Sequence, residues 1–212
     1  MNITKSGNRS NAVNGRNDAN SRSRVRTFAG LVSGVCAAAL LLTGCGGGDQ
    51  DAGSVPSGWG TLKTKGVDVS YPKGSGGYVE QSAAERSKHN AAAAVRTENG
   101  TTVSTITVQL DFTNADSAEE AAIAAEAGVQ LGSTLKGEKD VKLAGTDEAK
   151  RVDFEFSSTG EKGTPPKGTR IQGVILTGLD SRKKTFAVRI DAQKGALDDA
   201  DLKKIIDSVQ VH

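Results

Sequence analysis

Side chains able to do chemistry are few in this 212-residue chain: two cysteines and two histidines stand among its serines, lysines and carboxylates. Cys45 closes the stretch Leu41-Leu42-Thr43-Gly44-Cys45, and Cys36 sits inside the apolar run before it. Upstream, Arg22, Arg24 and Arg26 precede an uncharged, mostly apolar segment from Phe28 to Thr43. A positive region, an apolar region and a small-residue cleavage site, in that order, form a secretory signal. Cys36 falls within the part that such a signal discards. Cys45 stands at the cleavage site itself.

Leu42-Thr43-Gly44-Cys45 resembles a bacterial lipobox, whose cysteine becomes a diacylglyceryl thioether before cleavage on its N-terminal side. The resemblance implies residues 1–44 as signal peptide and lipidated Cys45 as first mature residue. A spanning anchor is the alternative, but it needs about 20 mainly apolar residues, and Gly30, Ser33 and Gly34 dilute this run. The polar stretch before Arg22 is long for a signal, so a start further along, for instance at Val25, gives a more compact one. No Arg-Arg pair is present there, which favours the general secretory route over the twin-arginine one. With lipid on Cys45, no thiol is left for a disulfide, a metal or a nucleophile.

Losing the signal also changes the charge. Residues 1–44 hold six basic side chains and Asp18, leaving 21 basic and 24 acidic ones, so the formal charge moves from +2 to −3. Mild acidity and export both argue against nucleic acid as a partner.

Other constellations suggest less. Ser133-Thr134-Leu135-Lys136 and Ser181-Arg182-Lys183-Lys184 both have the Ser-x-x-Lys spacing in which a lysine activates a serine, yet neither Ser-Asp-Asn nor Lys-Thr-Gly accompanies them. No Gly-x-Ser-x-Gly, His-Glu-x-x-His or Gly-x-x-x-x-Gly-Lys is present. His89 lies in a polar stretch and His212 is the last residue, a poor basis for a general base or a transition-metal site. Asp198, Asp199 and Asp201 invite a calcium reading, but lack EF-hand spacing and fit the start of a helix. The expectation is therefore no catalytic residue, no metal and no cofactor, with lipidation at Cys45 as the one assigned site.

The elements that would position these residues are legible from periodicity. A Gly-rich, polar run to residue 60 reads as a tether, and the folded domain is set at 61–212, with Trp59 at the junction either folding back on it, the preferred reading, or sitting at the lipid interface. Val67, Val69 and Tyr71 alternate in a strand that ends at Pro72. Residues 78–81 suggest a short strand. Residues 91–96 and 103–112 flank Asn99-Gly100 and predict a hairpin, with Ile106, Val108, Leu110 and Phe112 on one face. Ser117 and Glu120 have capping-box spacing before an Ala-rich helix running to about Leu131 and stopping at Gly132. A short strand at Val141–Leu143 comes next, then three consecutive antiparallel strands around Val152–Phe156, Arg170–Thr177 and Phe186–Ile190. Leu202, Ile205, Ile206 and Val209 form the i, i+3, i+4, i+7 stripe of an amphipathic helix lying across the sheet.

This order, with a strand ending Tyr71-Pro72, a hairpin, a capped helix, the Arg151-x-Asp153-x-Glu155 edge and the closing Ile205-Ile206-Asp207-Ser208-Val209-Gln210-Val211, resembles the PsbP-like fold. More narrowly it is similar to LpqN-type lipoproteins of high-GC Gram-positive bacteria, across about residues 62–212. One departure is Ser75 after Tyr71-Pro72-Lys73-Gly74, where relatives often carry tryptophan. The implied fold is α+β, an antiparallel sheet with helices packed on it. The implied role is binding or assembly in the envelope.

The sequence thus leads to a non-enzymatic module on the extracytoplasmic face of the cell membrane, anchored by lipid on Cys45, with an envelope protein or a small apolar ligand as partner. The alternative is a carrier for an apolar molecule held between sheet and helix. A third reading is an envelope hydrolase built from scattered residues. A cavity lined by Phe, Val and Ile would favour the carrier, a filled core with exposed apolar positions the interaction module, and a buried Ser–acid–Lys group the enzyme.

Overall fold

A computed structural model describes residues 55–129 and 131–212. The segment expected to be a signal, Cys36, Cys45 and most of the expected tether lie outside the described residues. Two sheets organise the chain. Strands β1 (Trp59–Leu62), β2 (Val67–Pro72) and β10 (Gln210–Val211) form a small sheet in the order β1-β2-β10. The larger one has seven strands: β3 (Val79–Glu80), β4 (Ala92–Glu98), β5 (Thr101–Leu110), β6 (Thr134–Asp140), β7 (Ala149–Ser157), β8 (Arg170–Leu179) and β9 (Thr185–Gln193). Its order is β3-β4-β5-β9-β8-β7-β6, with every pairing antiparallel. Helices α1 (Ala118–Ala127) and α2 (Asp199–Asp207) complete an α+β architecture.

Alternation along the strands sorts the apolar residues into two cores on opposite faces of the large sheet. Ile106 and Val108 of β5, Val174 and Leu176 of β8, and Phe186, Val188 and Ile190 of β9 point to one side. There they meet Val67, Val69 and Tyr71 of β2, Val211 of β10 and Ile205 and Ile206 of α2. On the other side Val152 and Phe154 of β7, Ile175 of β8 and Ala187 of β9 pack under Ala122 and Ala125 of α1. Alanines at 118, 121, 122 and 125 present only methyl groups to the sheet, which lets the helix backbone approach closely. Strand β8, covered on both sides, is accordingly buried from Gly173 to Gly178.

The hairpin, the three-strand meander and the final helix lie where periodicity sets them. Trp59 packs against the main core inside β1, paired with Pro72, so the folded part begins before Thr61. The N-cap is present, with Ser117 Oγ accepting from the Glu120 amide at 3.2 Å, while the Glu120 carboxylate reaches one residue beyond the cap, to the Asp116 amide at 3.0 Å. Asp198 caps α2 in the same way through the Asp201 amide at 2.7 Å.

Four local expectations are corrected. Helix α1 ends at Ala127 with Gly128 as its cap, short of Leu131 and Gly132. Val141–Leu143 is not a strand, whereas Thr134–Asp140 is one, and every residue of it is exposed. An edge strand with one face uncovered and charges along its length has no apolar alternation to detect. Phe112 does not share the face of Ile106 and Val108, because Asp111 takes a left-handed conformation (φ 52°) that ends the strand and turns Phe112 into the α1 core; aspartate tolerates that region better than most residues. Val209 is buried, but beyond the helix rather than on its stripe.

Candidate functional site

The covers on the two faces are staggered. Helix α1 packs on β7, β8 and β9, and among the described residues no helix covers the same face of β3, β4 and β5. Cross-strand register aligns Val79, Val95, Thr105, Asp191, Gly173, Phe154 and Leu135 in one row across the sheet. The segment 158–168 walls this row on one side. It is folded by its own hydrogen bonds, with Ser158 Oγ donating to the Pro165 carbonyl at 2.6 Å and the Gly168 amide to the Ser158 carbonyl at 2.8 Å. It is pinned to β5 by the Thr102 amide, which donates to the Gly163 carbonyl at 2.8 Å. Between wall and sheet lies a cleft of about 400 Å³, where Val103, Phe156, Pro165 and Ile171 meet Thr105 and Asp191.

Asp191 is the most perturbed acid of this cleft. Its side chain is 19 % exposed and its carboxylate accepts from Arg189 Nε at 2.9 and 3.1 Å. Burial raises its pKa, and the Arg189 charge only partly offsets that. The same guanidinium lies 4.9 Å from the centroid of Phe154 and 5.9 Å from that of Phe156, whose rings stack at 16°. Phe154 in turn occupies the space a side chain at Gly173 would need, since a Cβ there would lie 2.1 Å from the ring. Glycine in the middle of β8 is what lets the aromatic pair lie flat beside the acid.

Asp180 behaves oppositely. Burial alone would raise its pKa, but the amides of Lys184 (2.9 Å) and Arg182 (2.8 Å) and the Arg182 guanidinium (2.7 Å) outweigh it and hold the carboxyl below the usual range. The two aspartates give linkage terms of opposite sign. The contribution from Asp180 is present at neutral pH and is lost as pH falls through its folded-state value. For Asp191 the folded state holds the proton more tightly, so stability declines as pH rises from the ordinary aspartate value through the raised one. A carboxyl-detected NMR titration should find Asp191 inflecting above, and Asp180 below, the ordinary aspartate range; the reverse order would contradict the burial and hydrogen bonding described here.

The residues singled out from sequence do not assemble. Lys136 lies on the exposed edge strand with its ammonium 2.9 Å from Glu155, whose carboxyl Lys136 and Arg170 lower to about 2. Lys184 is 3.2 Å from Asp111. Both Ser-x-x-Lys lysines are thus committed to carboxylates. His89 is exposed in the β3–β4 connection, and His212 Nε2 lies 3.5 Å from Asp68 of β2. Asp198 serves as a helix cap, Asp201 pairs with Lys204 at 3.0 Å, and among the described residues no group of three His, Cys, Asp or Glu is arranged to hold a metal. Arg189 and Asp191 escaped the sequence reading because they alternate with Val188 and Ile190 and so read as solvent-facing. Only the wall 158–168 and the Phe154–Phe156 pair make that side an enclosed one.

Two further clefts, of about 590 and 290 Å³, adjoin the start of α1. Lys150 bridges there to Glu119 at 2.5 Å, Asp140 at 3.0 Å and Glu138 at 3.3 Å. Bonds to Glu119 first, then to Asp140 and Glu138, raise its pKa further. This network ties the edge strand β6 to α1 and leaves the lysine no role as a base.

No family model and no curated protein matches the chain. Among solved structures it is similar to a chain from Bacteroides thetaiotaomicron VPI-5482, whose crystal structure was determined at 1.50 Å resolution, with 13 % identity and a TM-score of 0.40 over 69 % of this chain. The match covers 45 % of that chain, so this protein spans less than half the length of its solved neighbour.

Proposed function

We propose that this chain is a lipid-anchored protein of the cell envelope, held at the extracytoplasmic face of the cell membrane through Cys45, whose PsbP-like domain is a non-catalytic binding or assembly module. The observation that carries the reading is the half-covered sheet. Both cores are filled by their own side chains, while one stretch of sheet face is walled by residues 158–168 and equipped with Phe156, Arg189 and Asp191. A rigid sheet displaying an aromatic ring, a polarised ion pair and hydroxyls suits recognition. Among the described residues the Asp191 carboxylate is bonded to Arg189 and to no hydroxyl, an arrangement that suits recognition better than activation of a nucleophile. The described clefts carry charge and open to solvent, which favours an interaction module over a carrier that swallows an apolar molecule.

The test is site-specific photocrosslinking in intact envelopes from position 105, in the cleft, and from position 88, on the distant β3–β4 connection. A discrete adduct from position 105, absent from position 88 and reduced at least about fivefold by Phe156→Ala, is expected. Ester, peptide or glycoside hydrolysis by the purified chain, abolished by one Ser, Asp, Glu or Lys substitution that leaves the fold intact, would replace this reading with the hydrolase.

A further inference from the structure

The end of the molecule opposite the tether gathers positive charge from two chain segments far apart in sequence. The β1–β2 turn carries Lys63 and Lys65, and the β8–β9 turn carries Arg182, Lys183 and Lys184, all exposed. Backbone hydrogen bonds fix the two turns against each other through the last residue: the His212 amide donates to the Gly66 carbonyl and the Ser181 amide to the His212 carbonyl, each at 2.9 Å. A Cβ at Gly66 would lie 3.1 Å from the Asp180 carboxylate and 3.2 Å from the Leu110 side chain, so the small residue there lets the turns close up. Arg182 is aligned by buried Asp180, and Lys184 by Asp111. Among the described residues no carboxylate lies within ion-pair distance of Lys63, Lys65 or Lys183. Acids are nevertheless near: Asp68 pairs with His212, and Asp116, Asp147 and Glu148 share with Lys183 the cleft on the α1 side of the turn.

The backbone at Lys183 is the second observation. It adopts a left-handed conformation (φ 59°) in the β8–β9 turn, two residues before β9, a conformation for which hairpin turns favour glycine or asparagine. The chain keeps lysine there although its ammonium makes no ion pair within the domain.

We propose that this basic tip docks an acidic segment of a partner protein. An acidic protein is favoured over the lipid surface by direction, an argument that rests on anchoring at Cys45. Strand β1 runs from the tether junction at Trp59 away to Leu62, so the tip points away from the end at which the lipid holds the domain. Charge of this kind, on a chain whose mature part is net acidic, steers encounter and fixes orientation.

Fluorescence anisotropy of a labelled decaglutamate peptide with the full chain in detergent tests it. Binding that weakens with salt, falls about tenfold in the Lys63→Glu/Lys65→Glu variant and is unchanged in Lys194→Glu, an exposed lysine just past the opposite end of β9, is expected. Lys183→Gly should raise the melting temperature and still weaken the peptide severalfold, a split that a purely structural lysine would not give. Absence of peptide binding by the wild type, or equal loss in Lys194→Glu, overturns the proposal. So does flotation with phosphatidylglycerol vesicles that depends on Lys63 and Lys65 while the peptide is ignored, because it transfers the tip to the bilayer. None of these readouts uses the cleft, so failure here is distinct from failure of the binding reading.

Discussion

Cys45→Ala should abolish both processing and stable membrane association, an all-or-none effect. Without the thiol no diacylglyceryl group can be attached, and in the lipobox pathway cleavage depends on that modification. Each buried methylene contributes about 0.8 kcal/mol, and a single chain anchors only marginally, whereas two chains hold stably. The wild type should therefore sediment with membranes and lose residues 1–44, while the variant keeps its signal and lacks lipid. Intact-mass spectrometry and membrane fractionation read both. An unchanged mature mass with the variant still in the membrane fraction would remove Cys45 from the account.

Ile205→Ala should destabilise the domain by about 2–5 kcal/mol, the range for deleting a fully buried large aliphatic side chain. Ile205 is completely buried in the larger core, where α2 and β2 meet. One turn later Ser208 stitches the same contact: its hydroxyl accepts from the Ser70 amide at 2.9 Å and donates to the Ile205 carbonyl at 2.7 Å. A cavity at Ile205 thus opens beside the hydrogen bonds that hold helix to strand, and little collapse is available to relieve it. Lys203 sits two residues away on the exposed side, paired with Asp207 at 2.5 Å. Exposed i, i+4 pairs are worth only a few tenths of a kcal/mol, so Lys203→Ala should change stability by no more than about 0.5 kcal/mol. Urea unfolding of both variants separates the two cases. Equal losses would mean that α2 does not close the core.

The prediction at Ile205 needed only the sequence to be framed, and that holds for much of the fold. Ile106 and Val108 in β5, Phe186, Val188 and Ile190 in β9, and Leu202, Ile205 and Ile206 in α2 declare their faces because each element is apolar on the side that meets the larger core. Asn99-Gly100 supplies the left-handed residues a tight hairpin needs, with φ of 49° and 79°. Ser117 and Asp198 supply helix caps. These are local properties, governed by backbone sterics and by hydrogen bonds a few residues long. Strand β6 left no such trace: it is held by backbone pairing with β7 and by exposed ion pairs such as Lys150 with Glu138 and Asp140, and neither puts an apolar pattern on its side chains. Phe112 was misassigned because a single left-handed residue reversed which face it serves.

By itself, then, the sequence determined the elements with one dominant apolar face, the helix caps, the hairpin turn and the expectation of a lipid on Cys45, since each is written within a window of a few residues. The stagger of α1 against the small sheet, the pinning of residues 158–168 to Thr102, the raised pKa of Asp191 and the meeting of Lys63 and Lys65 with Arg182 and Lys183 were decided only by the tertiary structure. The physical reason is that burial, dielectric and charge proximity belong to whatever covers a residue. For Asp191 the covering groups, Phe156 and Pro165, lie 35 and 26 positions away along the chain.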